Sequence, residues 1–121
     1  MHERPEDLAQ DVLAPPARAA VLLTLTVRTG HEDDVRDALT DVPSLVRAVG
    51  FREPELRLSC VTGIGSDVWA RVYGDVPPPG GLHPFVRVEG ARHTAIATPG
   101  DVLFHIRSAR QDLCFELAHR L

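Results

Sequence analysis

Residues 19–27 constrain the fold of this chain more than any other segment does. They read Ala-Ala-Val-Leu-Leu-Thr-Leu-Thr-Val, which is rich in strand-favouring residues and contains neither glycine nor proline. Side chains alternate between the two faces of a strand, and one face of this segment is entirely apolar. That face carries Val21, Leu23, Leu25 and Val27. Since Ala20 and Leu22 also make part of the second face apolar, we expect a strand that is covered on both sides.

A helix is predicted to follow this strand. Thr29 and Glu32 have the spacing of a capping box, in which each side chain satisfies a backbone N–H at the helix start. Apolar residues then recur at helical spacing: Val35, Leu39, Val42, Val46 and Val49. Pro43 lacks a backbone N–H and clashes with the preceding turn, so we predict a break or kink at residues 41–43. A second short helix would then end at Gly50.

The rest of the chain predicts two more strands and two more helices. The strands are residues 56–61 and residues 102–107, where apolar side chains alternate. A short helix with Ser66 as its N-cap is expected to end near Gly74. A final helix is expected after a second capping box at residues 108–111, with this apolar stripe: Leu113, Cys114, Leu117, Ala118 and Leu121. Between these elements, residues 75–84 hold four prolines and two glycines and predict a loop, and residues 93–97 are expected to be extended.

This order indicates an α+β fold of the ferredoxin-like βαββαβ type that lacks its last strand, with an antiparallel sheet and helices on one face. We interpret residues 1–16 as a flexible N-terminal arm and residues 17–121 as one module, because the first segment is polar and ends in Ala14-Pro15-Pro16.

Composition narrows the possible functions. The 121 residues carry a net charge of -4, which argues against a protein that grips a nucleic-acid backbone. The two cysteines, Cys60 and Cys114, are too few for a disulfide framework or a structural zinc site, and we expect buried free thiols. The charged start and the short apolar runs predict no signal peptide and no membrane span, so a reducing cytoplasm is expected.

Three segments, taken together and in order, resemble one family. They are residues 58–69 (LSCVTGIGSDVW), residues 82–85 (LHPF), and residues 98–107 (TPGDVLFHIR) running into residues 112–118 (DLCFELA). This pattern is similar to the N-terminal half of dye-decolourising (DyP-type) haem peroxidases of the bacterial B-type, and the resemblance extends from about Pro16 to Leu121.

The resemblance implies a whole enzyme that binds haem b and oxidises dyes or phenolic donors with peroxide. It also implies that the proximal histidine, the distal arginine and the distal G-x-x-D-G motif lie beyond Leu121, and no such motif occurs in this sequence. We therefore assign no catalytic residue and no metal ligand here. The expected partner is the missing C-terminal haem-binding half, the chain alone is expected to be inactive, and the whole protein could be one that is enclosed in a protein shell.

The incomplete fold has its own consequence. In the ferredoxin-like sheet the strand order is 4-1-3-2, so the fourth strand covers the first. Without it, residues 19–27 form an open, apolar edge that invites pairing with another chain. We therefore expect a homo-oligomer, a strand-paired dimer, or pairing with a complementary fragment.

Several side chains deserve consideration as functional groups. Of the six histidines, His105 is the least unlikely haem ligand, although an axial ligand needs a free imidazole over an apolar slot. The other five are expected in exposed or structural positions: His2, His31, His83, His93 and His119. Trp69 and Tyr73 share a helix face and could relay an electron, but core packing is the simpler interpretation. The acidic run at residues 32–34 is explained by a helix N-terminus.

Two alternatives remain open at this point. One is a stand-alone dimeric ferredoxin-like domain that binds a ligand or haem without peroxidase activity. The other is an interaction module that pairs its exposed strand with an extended peptide. A domain of the first kind should complete its sheet from itself or from a symmetry mate.

Overall fold

The computed structural model of the chain describes residues 10–121, so His2 and the first nine residues of the predicted arm lie outside it. Three strands form one sheet. A separate two-stranded hairpin is inserted in the sequence between the second and the third of these strands. The elements in chain order are β1 (Ala19–Leu25), α1 (Glu32–Gly50), a 3-10 turn (Pro54–Leu56), β2 (Ser59–Ile64), α2 (Ser66–Val72), β3 (Val88–Glu89), β4 (Thr94–Ala95), β5 (Val102–Ser108) and α3 (Gln111–Arg120).

The three-stranded sheet has the order β1-β5-β2, and β5 is antiparallel to both of its neighbours. This is the 1-3-2 part of the ferredoxin-like order, so the predicted fold class is confirmed. In the described part of the chain β1 lies at an edge of the sheet, as predicted. The edge runs along seven residues. The expectation that this strand is covered on both sides is wrong, because Leu22 is 65% exposed on the face that the helices leave open.

One face of the sheet forms the core together with α1 and α3. Val21 and Cys60 lie opposite Ile106 from either side, and Phe104 lies opposite Leu23. Ile106 and Leu117 are completely buried, and they join the sheet to the last helix. The alternation predicted for β1 and β5 thus places Val21, Leu23, Phe104 and Ile106 beneath the helices, whereas Leu22 and Leu103 are exposed on the other face.

The predicted break at Pro43 is wrong, because α1 runs without interruption from Glu32 to Gly50. The apolar stripe of α1 packs on the core both before and after the proline, and Val42 is 5% exposed. An internal proline costs about 3 kcal/mol. Burial of a continuous stripe at roughly 25 cal/mol per Å² is large enough to offset that cost.

The predicted start of the second strand is also wrong. Residues 54–56 form a 3-10 turn, and Arg57 closes it in the left-handed conformation at φ +50°. The carbonyl of Leu56 accepts hydrogen bonds from the Ser108 hydroxyl (2.9 Å) and from the Ala109 N–H (2.9 Å). Leu56 is therefore held by the end of β5, and the strand begins only at Ser59.

The predicted helix caps are wrong as well, since the N-cap positions are occupied by His31, Gly65 and Arg110. At α1 the Glu32 carboxylate does reach back, but it accepts from the Gly30 N–H (2.8 Å). The Ser108 hydroxyl donates to the Leu56 carbonyl (2.9 Å) and accepts from the N–H of Arg110 (3.3 Å), which is the N-cap residue of α3.

Residues 83–100 form the most exposed part of the structure, and every one of them is exposed. Val88 pairs with Ala95 and Glu89 with Thr94, and the turn closes with a 2.8 Å hydrogen bond from the Gly90 N–H to the His93 carbonyl. The expected extended segment at residues 93–97 is thus one side of a short hairpin, and residues 75–84 form the predicted loop.

Candidate functional site

The helices leave one face of the three-stranded sheet uncovered. Alternate residues of the three strands point to it, and His105 lies in its middle row between Leu22 of β1 and Val61 of β2. Leu103 is 39% exposed on the same face, so this surface is partly apolar and accessible. It is the one surface of the sheet on which a central histidine meets apolar neighbours.

His105 does not meet the requirements of a haem ligand in the described part of the chain. It makes no side-chain hydrogen bond there, whereas a metal-bound histidine almost always donates its second ring N–H to an orienting partner. It also lines none of three cavities of about 650, 590 and 490 Å³. The residues described here therefore do not fit a haem site, and we derive no chemical step through haem.

The other described histidines occupy structural or exposed positions. His31 is the N-cap residue of α1 and lies 3.3 Å from the Asp34 carboxylate. His83 and His93 lie in the exposed segment, and the His83 ring lies 2.6 Å from the carbonyl of Pro84. His119 stacks on Phe115 at 6.4 Å on the outer face of α3. Within residues 10–121 no group of three His, Cys, Asp or Glu side chains is placed to hold a metal ion.

The acidic start of α1 has a structural partner. The Glu32 carboxylate accepts from Arg71 of α2 at 2.9 and 3.2 Å, and Arg71 also donates to the Val27 carbonyl at 3.1 Å. The hydrogen bonds from Arg71 hold the pKa of Glu32 below its ordinary value. This cluster joins α2 to α1 and to the end of β1, so it serves the fold.

Trp69 and Tyr73 form a packed aromatic pair with ring centroids 5.2 Å apart. The indole N–H donates to the Val76 carbonyl at 2.9 Å, and the Arg36 guanidinium lies 5.0 Å above the Tyr73 ring. Both rings are half-buried. These contacts explain the pair as packing between α2 and α1, and no described group near it accepts an electron.

The two cysteines are free thiols that are buried or half-buried. Cys114 is fully buried on α3 and its Sγ lies 3.8 Å from the Ala19 carbonyl, and Cys60 is half-buried on β2. Burial raises the pKa of both thiols above the ordinary value. A raised pKa disfavours the thiolate that nucleophilic catalysis needs.

Asp101, within the 98–107 motif, connects the three strands of the larger sheet at one of its ends. Its carboxylate accepts from the Val27 N–H (2.7 Å), its N–H donates to the Leu25 carbonyl (2.8 Å), and its carbonyl accepts from the Gly65 N–H (2.7 Å). A side chain at Gly65 would place its Cβ 3.3 Å from the Asp101 carbonyl oxygen, which explains the glycine there. The motif is thus a structural junction, a role that sequence reasoning did not assign.

A cavity of about 650 Å³ lies over the ends of β1 and β5, between α1 and the C-terminal end of α3. Its walls are mainly apolar and come from the ends of β1 and β5 and from α1, with Val35, Leu39 and Phe104 among them. His31, Asp34 and Arg120 stand among the polar residues of its lining. An apolar cleft of this size is a surface that another segment or another chain would cover.

Comparison with known proteins decides the family. A family model described as "Dyp-type peroxidase, N-terminal" matches residues 9–121. The chain belongs to this family. The "Dye-decolorizing peroxidase" of Brevibacterium linens is 59% identical over 112 residues, which are 93% of this chain and 30% of the relative. That of Mycolicibacterium paratuberculosis is 56% identical over 112 residues, 93% of this chain and 31% of the relative.

Solved structures of this family contain the same fold. The encapsulated DyP-type peroxidase from Mycobacterium smegmatis superposes with a TM-score of 0.87 at 54% identity, over 93% of this chain and 36% of that one. A variant of DypB from Rhodococcus jostii in complex with heme gives 0.79 at 43% identity, over 92% and 36%. The chain therefore spans about a third of the length of these DyP-type relatives and corresponds to their N-terminal part.

Within residues 10–121, none of the helices is both long enough and apolar enough to cross a membrane.

Proposed function

We propose that this chain is the N-terminal scaffold module of a haem peroxidase that oxidises dyes or phenolic donors with peroxide. The observation that carries the proposal is the match of residues 9–121 to the N-terminal DyP-type model, together with a fold shared at a TM-score of 0.87. The residues of this module form a sheet, a helical layer and the Asp101 junction. Each strong polar contact among those described above serves packing.

In this proposal, haem b belongs to the part of the protein that follows this module. Haem supplies the redox chemistry of a peroxidase, and the protein supplies the axial ligand and the distal acid–base groups. Among residues 10–121 no side chain orients the His105 ring, and His105 lines none of the cavities described. The module contributes a wall and contact surfaces, and it holds no catalytic residue.

The partner of this module is the C-terminal haem-binding part of the same protein. The unpaired edge of β1 offers backbone N–H and C=O groups along seven residues, and the 650 Å³ cleft lies at the end of this strand. We propose that a strand from that part pairs with β1 and closes the cleft. When this strand is lacking, the same edge would pair with a second copy and give a homo-oligomer.

The whole protein is proposed to work in the cytoplasm, without a nucleic-acid or membrane partner. The net charge of -4 and the free thiols support this expectation. Enclosure in a protein shell is proposed by analogy with the Mycobacterium smegmatis structure, whose name describes an encapsulated peroxidase.

The test is a chimera. The matching N-terminal segment of the Brevibacterium linens relative is replaced by residues 10–121 of this chain, and peroxide-dependent dye oxidation and the haem Soret band are measured. A scaffold module predicts that the chimera binds haem and decolourises dye, whereas the 121-residue chain alone does neither. The control variant His105→Ala should leave the Soret band of the chimera unchanged.

A folded chimera without haem would contradict the scaffold function. A 121-residue chain that forms a stable dimer and binds haem without turnover would instead support the alternative of a stand-alone ferredoxin-like binding domain.

A further inference from the structure

A cavity of about 490 Å³ lies at the end of the sheet where β1 and β2 begin and β5 ends. It is enclosed by residues 11–18, by the turn that precedes β2, and by the end of β5. Three of its lining residues are arginines, against a single aspartate: Arg18, Arg57, Arg107 and Asp11. In a chain with a net charge of -4, this is a locally cationic surface.

Arg107 is the most unusual of these residues. It is only 7% exposed, and its guanidinium donates to the backbone carbonyls of Asp11 and Ala14 (3.1 Å to Ala14). Among residues 10–121 no carboxylate pairs with it, and its buried Nε finds no acceptor. A buried charge is costly unless it is paired, so the electrostatics of this cavity favour an anion.

Arg57 supplies an independent observation. It has φ +50° and is the one non-glycine residue in the described part of the chain with a positive φ. This conformation closes the 3-10 turn, in which the Arg57 N–H donates to the Pro54 carbonyl at 3.1 Å. The turn places Arg57 in the lining of the same cavity, together with Ser59.

The remaining walls are apolar. Pro15, Pro16 and Leu56 line the cavity together with alanines. This combination suits an organic anion with an apolar body better than an inorganic ion, because the walls offer contact area and the guanidinium groups offer paired donors. A planar carboxylate matches the fork of a guanidinium.

We propose that this cavity binds a small organic carboxylate. Arg57 and Arg18 pair with its carboxylate, Arg107 supplies the buried positive charge behind them, and the proline and leucine walls cover its apolar body. The proposal goes beyond the scaffold function and does not depend on it, since it concerns residues of this chain alone.

The experiment is a calorimetric titration of the 121-residue chain with benzoate and with benzamide, its uncharged analogue. Saturable benzoate binding is expected, with benzamide at least about tenfold weaker, since a hydrogen bond between charged groups contributes about that factor. Arg18→Gln and Arg57→Gln should each weaken benzoate by about tenfold. Arg52 is an exposed arginine outside the cavity, so Arg52→Gln is the matched control and should leave the affinity for benzoate unchanged.

The variant Arg57→Gly tests whether a loss of benzoate binding is caused by misfolding. Glycine adopts a positive φ without strain, so this variant should be at least as stable as the parent and still lose benzoate affinity. No saturable benzoate binding, equal affinity for benzamide, or unchanged affinity in Arg18→Gln and Arg57→Gly would each overturn the proposal.

Discussion

Asp101→Ala tests whether the 98–107 motif is structural. The substitution keeps both backbone hydrogen bonds of residue 101 and removes only the carboxylate that accepts from the Val27 N–H at 2.7 Å. Val27 is 8% exposed, so its N–H is left largely without water. An unsatisfied buried donor costs about 1–3 kcal/mol. Asp101→Asn keeps an acceptor oxygen and should cost less, because the lost contribution is then only that of the charge.

The assay is urea unfolding of the 121-residue chain at pH 7. For a domain with an m-value of about 2 kcal/mol/M, a loss of about 2 kcal/mol lowers the midpoint by about 1 M urea with m unchanged. Asp37→Ala, an exposed carboxylate on α1, is the matched control and should shift the free energy of unfolding by no more than about 0.5 kcal/mol. If Asp101→Ala and Asp37→Ala unfold at the same urea concentration, the structural role of the Asp101 carboxylate is refuted.

Three further predictions concern the core, the pH and the thiols. Leu117→Ala, at a position with no exposed surface, should lower the free energy of unfolding by about 2–5 kcal/mol in the same assay. Hydrogen bonds from arginines lower the pKa values of Glu32 and Asp75 in the folded chain. These two carboxylates therefore stabilise the fold above their ordinary pKa values of 4.5 and 3.8, and this stabilisation is lost as the pH falls through the lower folded values. A urea midpoint that does not decrease from pH 6 to pH 3 would contradict this prediction. Because burial raises the pKa of Cys60 and Cys114, both should react with a disulfide reagent at pH 7 much more slowly in the folded chain than in urea, and equal rates would be the contrary result.

The sequence predicted those parts of the fold in which local pattern and tertiary packing agree. Period-two alternation identified β1 and β5, and it assigned Val21 and Leu23 to the core face. Element order then predicted the sheet order with β1 at the edge. Both follow from side-chain periodicity and chain connectivity, which one sequence contains in full.

Errors arose where a long-range contact overrides a local signal. Pro43 does not break α1, because the helix is buried on both sides of it. Leu56 alternates like a strand residue, yet its carbonyl is held by Ser108, 52 positions later in the chain. Neither contact can be predicted from the pattern of neighbouring residues in the sequence.

The candidate sites show the same limit. Alternation predicts that His105 points away from the apolar face of its strand, but it does not predict that residues 10–121 provide no partner to orient the ring. Arg107 did carry a signal, since an arginine inside an apolar strand must find acceptors when buried. Its partners are carbonyls of residues 11 and 14, which only the folded chain brings near.

The measurement that tests the central claim most directly is a haemin titration of the 121-residue chain, followed by its Soret band, with a peroxide and dye assay on the same sample. A scaffold module predicts no saturable Soret shift and no turnover. A one-to-one shift with turnover, both abolished by His105→Ala, would show that this chain ligates haem itself and would contradict the account.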